Sequence, residues 1–283
     1  MPRVLIAGCG YLGEATAGLF VTRGWQVEGW TRSTEAVQRL SAKSYSARAV
    51  DLSDRAAVMA CKTNFDAVIH CASTRGGDVD LYRQLYLEGA RNLVARFTAA
   101  KLLFVSSTSV YAQTGGESVT EESPAEPTHP AGRVLREAEQ LALEHDGVVA
   151  RLAGIYGPGR SFLLKSLRAG DAVIDPHNDR LLNQIHRDDA ATALVLLSAQ
   201  RSTRGEIFNV VDDQPIRQSE CYRWLAAKLN RPLPSVGSLP AKRKRGWSNK
   251  QVSNTKLRGL GWVPQYPTFA EGMENSVLAT YEL

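Results

Sequence analysis

The residues best suited to chemistry stand at the start of the chain, where Gly8-Cys9-Gly10-Tyr11-Leu12-Gly13 sets three glycines in the spacing G-x-G-x-x-G. Glycine at the first position permits a tight turn, at the second it lets a pyrophosphate approach the backbone, and at the third it lets a helix pack close to a strand. Both flanking elements are present: Val4-Leu5-Ile6-Ala7 reads as a strand buried on both faces, and Glu14 to Thr22 as a helix. The free amides and positive dipole end of that helix would hold phosphates. The motif therefore points to a dinucleotide site formed by Gly8, Gly10, Tyr11, Leu12 and Gly13. The plainer alternative is a glycine-rich turn between strand and helix.

The end of the next strand bears on which dinucleotide is held. The segment Trp25 to Trp30 should lie beside the first strand and end at Thr31-Arg32-Ser33. An NAD-specific site places a carboxylate there, about 20 residues beyond the glycines, to accept bonds from the ribose hydroxyls. Here Thr31 takes that place and Arg32 follows. A guanidinium flanked by two hydroxyl side chains suits a 2′-phosphate, to which it can form forked, charge-assisted bonds. NADP is thus favoured over NAD, although Arg32 also fits a plain solvated charge.

Strand and helix signals alternate further along, which calls for an α/β fold with a doubly wound parallel sheet. Ala47 to Val50 ends at Asp51-Leu52, and Phe65 to His70 ends at Cys71-Ala72-Ser73. Such sheets bind ligands at the carboxyl ends of their strands. Asp51 could bond an adenine amino group or cap a helix starting near Ser53. The backbone of Cys71, Ala72 and Ser73 could line the cofactor, and His70, inside an apolar run, reads as a packed core histidine.

Composition narrows the class. A chain of 283 residues can bury a substantial core, and its formal charge of +5 is modest. No long apolar span or signal-like start is seen, so a soluble, cytoplasmic protein is expected. Cys9, Cys61, Cys71 and Cys221 have neither C-x-x-C pairing nor metal-ligand spacing and read as reduced thiols, with no metal expected. Lys242-Arg243-Lys244-Arg245 is the densest positive run, and without interleaved aromatics it reads as a solvated loop rather than a nucleic-acid contact. Thr114 to Pro130 reads as a long surface loop.

The fifth strand, Leu102 to Val105, delivers Ser106-Ser107-Thr108-Ser109-Val110-Tyr111. A hydroxyl-rich strand end followed by Val-Tyr resembles the extended short-chain dehydrogenase/reductases, especially their NAD-dependent epimerase/dehydratase branch. Arg151 to Gly159, Asn183 to Ala190, Gly205 to Val210 and Val252 to Trp262 are similar to later segments of the same family, in order. The resemblance implies a Rossmann-type domain over residues 1–160, with 181–212 returning to it, and a smaller C-terminal substrate lobe from 161–180 and 213–283. It also implies that Ser106, Ala153, Gly154 and Ile155 bind the cofactor, with the nicotinamide near Ser107 and the Ala153 to Ile155 backbone, and that a homodimer is plausible.

The chemistry departs from that pattern. Typical members carry Tyr-x-x-x-Lys on the helix after the fifth strand. Matching Ala138-Glu139 to the family's Ala-Glu puts Ala131 at the tyrosine position and Leu135 at the lysine position. Tyr86 stands where asparagine is usual, and Ser107 alone matches the catalytic hydroxyl. The missing pair matters because lysine lowers the tyrosine pKa and makes phenol-to-carbonyl proton transfer accessible.

Three readings follow. In the first, an NAD(P)-dependent oxidoreductase or epimerase-like enzyme acts on a small carbonyl or sugar-nucleotide substrate. Ser107 would orient the substrate, Tyr111 or Tyr86 would serve as replacement acid, and Arg133 or Arg136 would supply charge. His129 is a further acid/base candidate and His186 reads as structural. The second reading is a non-catalytic NADP-holding sensor, and the third a nucleic-acid-associated protein using Lys242 to Arg245.

Overall fold

Short apolar runs that stop at glycine, hydroxyl or acidic residues become the strands of one parallel sheet. The structure, a computed structural model, describes residues 1–74, 76–238 and 248–280, so Lys242 to Arg245 lies outside the described residues. The strands are β1 (Arg3–Ala7), β2 (Gln26–Thr31), β3 (Ser46–Ala49), β4 (Ala67–His70), β5 (Lys101–Ser107), β6 (Val148–Leu152) and β7 (Ile207–Val210). Their order across the sheet is β3-β2-β1-β4-β5-β6-β7, every pair parallel. Helices cover both faces, which is why Val4 to Ala7 of β1 and Ala67 to Ile69 of β4 are continuous apolar runs rather than alternating. This is the doubly wound Rossmann-type sheet.

Register decides where the site lies. Ala7 pairs with Trp30 on one side and with His70 on the other, so β1, β2 and β4 end at one level. The chain winds outward from β1 in both directions, and the crevice at that reversal is where such sheets bind ligands.

Three helices matter for the edge: α1 (Tyr11–Thr22), α2 (Pro130–Glu144) and α3 (Arg187–Ala199). Helix α1 begins directly after Gly10, one turn earlier than the periodicity predicts. Before α2, the helical segments Val79–Tyr82, Arg83–Glu88 and Gly89–Arg96 run on without a break, the middle one with wide π-type turns. Such turns shift carbonyls out of the usual ladder. The Leu85 carbonyl, within that stretch, lies 3.0 Å from His70 Nε2. A carbonyl can only accept, so Nε2 carries the proton, and burial pushes the His70 pKa down to about 4.

A buried ionic network ties α2 to the sheet. Arg151 of β6 forks onto Glu139 of α2 through Nε–Oε1 (3.1 Å) and Nη2–Oε2 (2.7 Å). Both side chains are essentially inaccessible, at 1% and 0% exposed. The third arm of Arg151 donates to the Tyr111 hydroxyl (2.8 Å), which donates to Asn209 Oδ1 (2.9 Å) on β7. Ser106 of β5 and Arg136 of α2 also bond Glu139. Every member is partnered, the condition under which a buried ion pair is tolerated.

A second, smaller hydrophobic cluster gathers Tyr156, Leu163, Leu164, Leu167, Tyr222 and Phe269 among others. Val252, Leu257 and Trp262, from the stretch expected in the lobe, pack in the larger core instead. The expected long loop after Tyr111 contains a short strand, Glu117–Val119, because Lys250–Val252 runs parallel to it and supplies its hydrogen bonds. All four thiols are free. Among the described residues no helix is long and apolar enough to cross a membrane.

Unfolding in denaturant measures the network. Glu139→Gln, which leaves Arg151 buried without its counter-charge, is expected to lose about 3–5 kcal/mol. Tyr111→Phe, which removes only neutral bonding capacity, is expected to lose about 1–3 kcal/mol.

Candidate cofactor and active site

The glycine loop has the shape a pyrophosphate requires. Gly8 adopts φ +105°, and a Cβ there would lie 2.2 Å from the Ala72 backbone nitrogen. A Cβ on Gly13 would lie 2.5 Å from the Gly8 carbonyl, so those two glycines are needed for the close approach of loop, helix and β4 end. Gly10 differs: nothing lies within 4 Å of the place its Cβ would take. That open space, at the start of a helix of 12 residues, fits a phosphate group. The amides of Gly8 and Cys9 are spent on the Trp30 carbonyl (3.0 and 2.7 Å), which locks the loop to the end of β2.

The other expected cofactor residues lie around this loop along the same edge. Leu12 is buried beneath it. Thr31 closes β2, Arg32 is exposed, and Ser33 caps the next helix by accepting from the Ala36 amide at 3.2 Å. Asp51 accepts from the Ser53 amide (2.9 Å) and hydroxyl (2.7 Å). It is not the helix cap: that helix starts at Arg55, and Asp54 caps it. Leu52 is buried, and its carbonyl accepts from Asn92. Cys71 donates its thiol proton to the Gly8 carbonyl (3.3 Å), which brings Cys71, Ala72 and Ser73 against the glycine loop. Burial pushes the Cys71 thiol pKa far up, so it stays protonated. Farther along, Ala153 bonds the Val210 carbonyl, while Gly154 and Ile155 form a short strand parallel to Gln184–His186. Ser106 turns its hydroxyl inward to Glu139, leaving only its backbone for the edge.

The residues expected to carry proton chemistry separate. Ser107 is half-buried at the end of β5, and its Oγ accepts from the Ser109 amide (3.2 Å), which leaves the hydroxyl proton to donate outward. Tyr111 does not fit the part of replacement acid. Its hydroxyl is held between Arg151 and Asn209, and burial raises its pKa. Tyr86 is 8% exposed and packed among Tyr82, His70 and Phe104, a ring in the core beneath β4 and β5. Leu135, matched from sequence to the lysine position, is 4% exposed and apolar. His129 caps α2 through Nδ1, which accepts from the Gly132 amide at 2.9 Å. Arg136 is bound to Glu139, and Arg133 bonds the Thr128 carbonyl. His186 is built into packing, with Nε2 3.0 Å from the Ser276 hydroxyl and the ring 4.1 Å from that of Tyr266.

Two features escaped the sequence reading. Lys250, 3% exposed, donates to the Tyr111 carbonyl (2.8 Å) and the Ser248 hydroxyl (3.0 Å), and burial pulls its pKa down to about 8. The guanidinium groups of Arg160 and Arg187 lie 5.2 and 5.0 Å from the centre of the Tyr11 ring. Lys250 stands in the polar run Ser248-Asn249-Lys250-Gln251, and nothing local marked either feature.

Residues 4–210 match the model of the NAD dependent epimerase/dehydratase family. The chain belongs to that family. An NAD(P) dinucleotide is its usual cofactor. The chain is similar to protein YeeZ of Escherichia coli K12, with 31% identity over 94% of this chain and 97% of that one. It is also similar to a 2-alkyl-3-oxoalkanoate reductase of Stenotrophomonas maltophilia, at 25% identity over 82% of this chain and 77% of the relative. In fold it resembles DesIV, a dTDP-glucose 4,6-dehydratase of Streptomyces venezuelae solved with NAD and TYD bound. The TM-score is 0.83 at 20% identity, over 98% of this chain and 96% of that one.

The glycine loop makes a clean test. Gly10→Ala should change folding stability by less than about 1 kcal/mol, the scale of a helix-cap substitution. Its methyl group would fill the space open to the phosphate and should weaken dinucleotide binding at least about tenfold, as if the displaced phosphate gave up one charged hydrogen bond. Gly8→Ala, at positive φ and against backbone, should lower the melting temperature outright. Calorimetric titration and thermal unfolding read the two effects apart.

Proposed function

We propose that this chain is an NADP(H)-linked oxidoreductase that interconverts a carbonyl and an alcohol on a small substrate, with an active site that lacks the family's tyrosine–lysine pair. The observation that carries the reading is the glycine loop, where tight packing at Gly8 and Gly13 surrounds open space at Gly10. Such a loop holds a pyrophosphate at the head of α1. The preference for NADP rests on Arg32, exposed just beyond β2 and without an ion-pair partner among the described residues. Glu28, the acid within β2, is held by the Trp30 indole (2.7 Å) and faces Arg48 (3.6 Å).

When bound, the nicotinamide supplies or accepts a hydride. Ser107 donates a hydrogen bond to the substrate oxygen and so orients and polarises the carbonyl, and the proton that completes the alcohol comes from solvent water at the open edge, returning there in the reverse direction. Reduction of a ketone is favoured over sugar-nucleotide chemistry because the named reductase relative covers most of this chain. A second reading, an NADP-holding sensor, draws on the apolar Ala131 and Leu135 where the acid/base pair would stand.

Titration with NADPH and NADH tests the cofactor, and NADPH oxidation with a panel of small ketones and 3-oxo acids tests the chemistry. Arg32→Ala should weaken NADPH at least about tenfold and change NADH little, since a phosphate fork is lost. Ser107→Ala should lower kcat roughly a hundredfold, as for loss of one oxyanion donor, and leave NADPH affinity unchanged. Tight NADPH binding with no turnover on any carbonyl would favour the sensor.

A further inference from the structure

Two lysines are buried among the described residues, and they serve opposite ends of β5. Lys101 opens the strand. Its ammonium donates to the Leu197 carbonyl and the Thr203 hydroxyl, both at 2.6 Å, and to the Gln200 carbonyl. All its protons are thereby spent on tying the end of α3 to the start of β5. Lys250 acts beyond the other end, where its ammonium donates to the Tyr111 carbonyl at 2.8 Å and the Ser248 hydroxyl at 3.0 Å. Burying an ammonium against two neutral acceptors is costly, so what it holds in place matters.

Tyr111 closes the short turn Thr108–Val110, and Ser107 caps the start of that turn. The turn is weak by itself. Its bonds from the Ser109 amide to Ser107 Oγ and from the Tyr111 amide to the Thr108 carbonyl are both 3.2 Å, at the long end for such bonds. A single turn of this kind also gains little from cooperativity. Its position therefore depends on what grips its ends. The Tyr111 ring is gripped by the sheet through its hydroxyl, but the segment that follows is gripped by the strand Lys250–Val252. The Gln113 carbonyl accepts the Asn249 amide (3.0 Å), the Gly116 amide bonds the Asn249 carbonyl (2.9 Å), and Glu117–Val119 pairs with Lys250–Val252.

That strand is fixed in turn to another part of the edge. Asn183 donates from Nδ2 to the Lys250 carbonyl (3.0 Å) and accepts at Oδ1 from the Val252 amide (2.8 Å). Its own carbonyl accepts the Gly154 amide at 3.1 Å. A run of hydrogen bonds thus leads from Gly154 through Asn183 and Lys250 to the turn that presents Ser107. We propose that Lys250 is a positioning residue that sets the spacing between the Ser107 hydroxyl and the Gly154 backbone. It acts through the backbone and touches no substrate. Its effect on turnover rests on the role given to Ser107 above, whereas the mechanical coupling does not.

Lys250→Met keeps the apolar stem and removes the donor, and Lys101→Met does the same to the buried lysine at the other end of β5. Lys250→Gln, a shorter neutral donor, takes the place of Lys250→Met if that variant does not fold. All are compared with wild type below their melting transitions. Amide exchange of Ser109, followed by NMR, reports the cap on Ser107 without any need for turnover. It should quicken at least about tenfold in Lys250→Met, as for loss of one charge-assisted bond, and hold the wild-type rate in Lys101→Met. With a ketone that wild type reduces, kcat should fall about ten- to a hundredfold in Lys250→Met, while KM and NADPH affinity stay within about twofold. Unchanged Ser109 exchange in Lys250→Met, or equal quickening in both variants, overturns the proposal whatever turnover does. An unchanged kcat in Lys250→Met, where Ser107→Ala loses turnover, overturns it as well. Quickened exchange in Lys250→Met alone, with no ketone reduced even by wild type, would support the coupling and remove the oxidoreductase reading.

Discussion

A guanidinium buried inside a parallel sheet has to be answered, and the answer given to Arg151 organises the edge on which the site is built. Glu139 reaches in from α2 and takes two of its arms, and Tyr111 takes the third. Through Asn209 the same chain of bonds extends to β7, and through Ser106 to β5. Helix α2 is thereby fixed against three strand ends by interactions whose geometry is far narrower than that of apolar packing. Ser107 sits one residue from Ser106, so the direction of its hydroxyl follows from where that network holds β5.

The same network withholds Tyr111 from the part of a proton donor. Tyr111 leaves the strand end as though bound for the cleft, yet both sides of its hydroxyl are occupied. The positions that the sequence matched to the acid and its lysine hold an alanine and a buried leucine. What remains at the open edge is a serine donor, the glycine loop and a set of cations: Arg32 at one end, Arg160 and Arg187 at the other.

Much of this was legible because it is local. The glycines, the strand ends at Thr31, Cys71 and Ser106, and the doubly wound order follow from residue types within a few positions of one another. Roles that depend on distant partners were not. The hydroxyl of Tyr111 is claimed by Asn209, 98 residues later, and that of Tyr11 by Pro158, 147 residues later. The strand Glu117–Val119 looked like loop because its ladder partner, Lys250–Val252, comes near the other end of the chain. Arg151 carried a local signal that went unused, since a charge inside an apolar strand calls for a buried partner, and Glu139 lies on the buried face of the helix just before.

That late strand has a consequence for the order of assembly. Lys250 reaches back 139 residues to the Tyr111 carbonyl, and Val252 pairs with Val119. During synthesis the glycine loop and its neighbouring strands emerge long before the segment that covers the other end of the edge. Contacts of such long sequence separation form late, because loop-closure entropy is lost before the contact is gained, and folding of the intervening chain first shortens the loop to be closed. The nascent chain can therefore gather its nucleotide-binding half while the far wall of the cleft is still on the ribosome, and the site is finished from its carboxyl end.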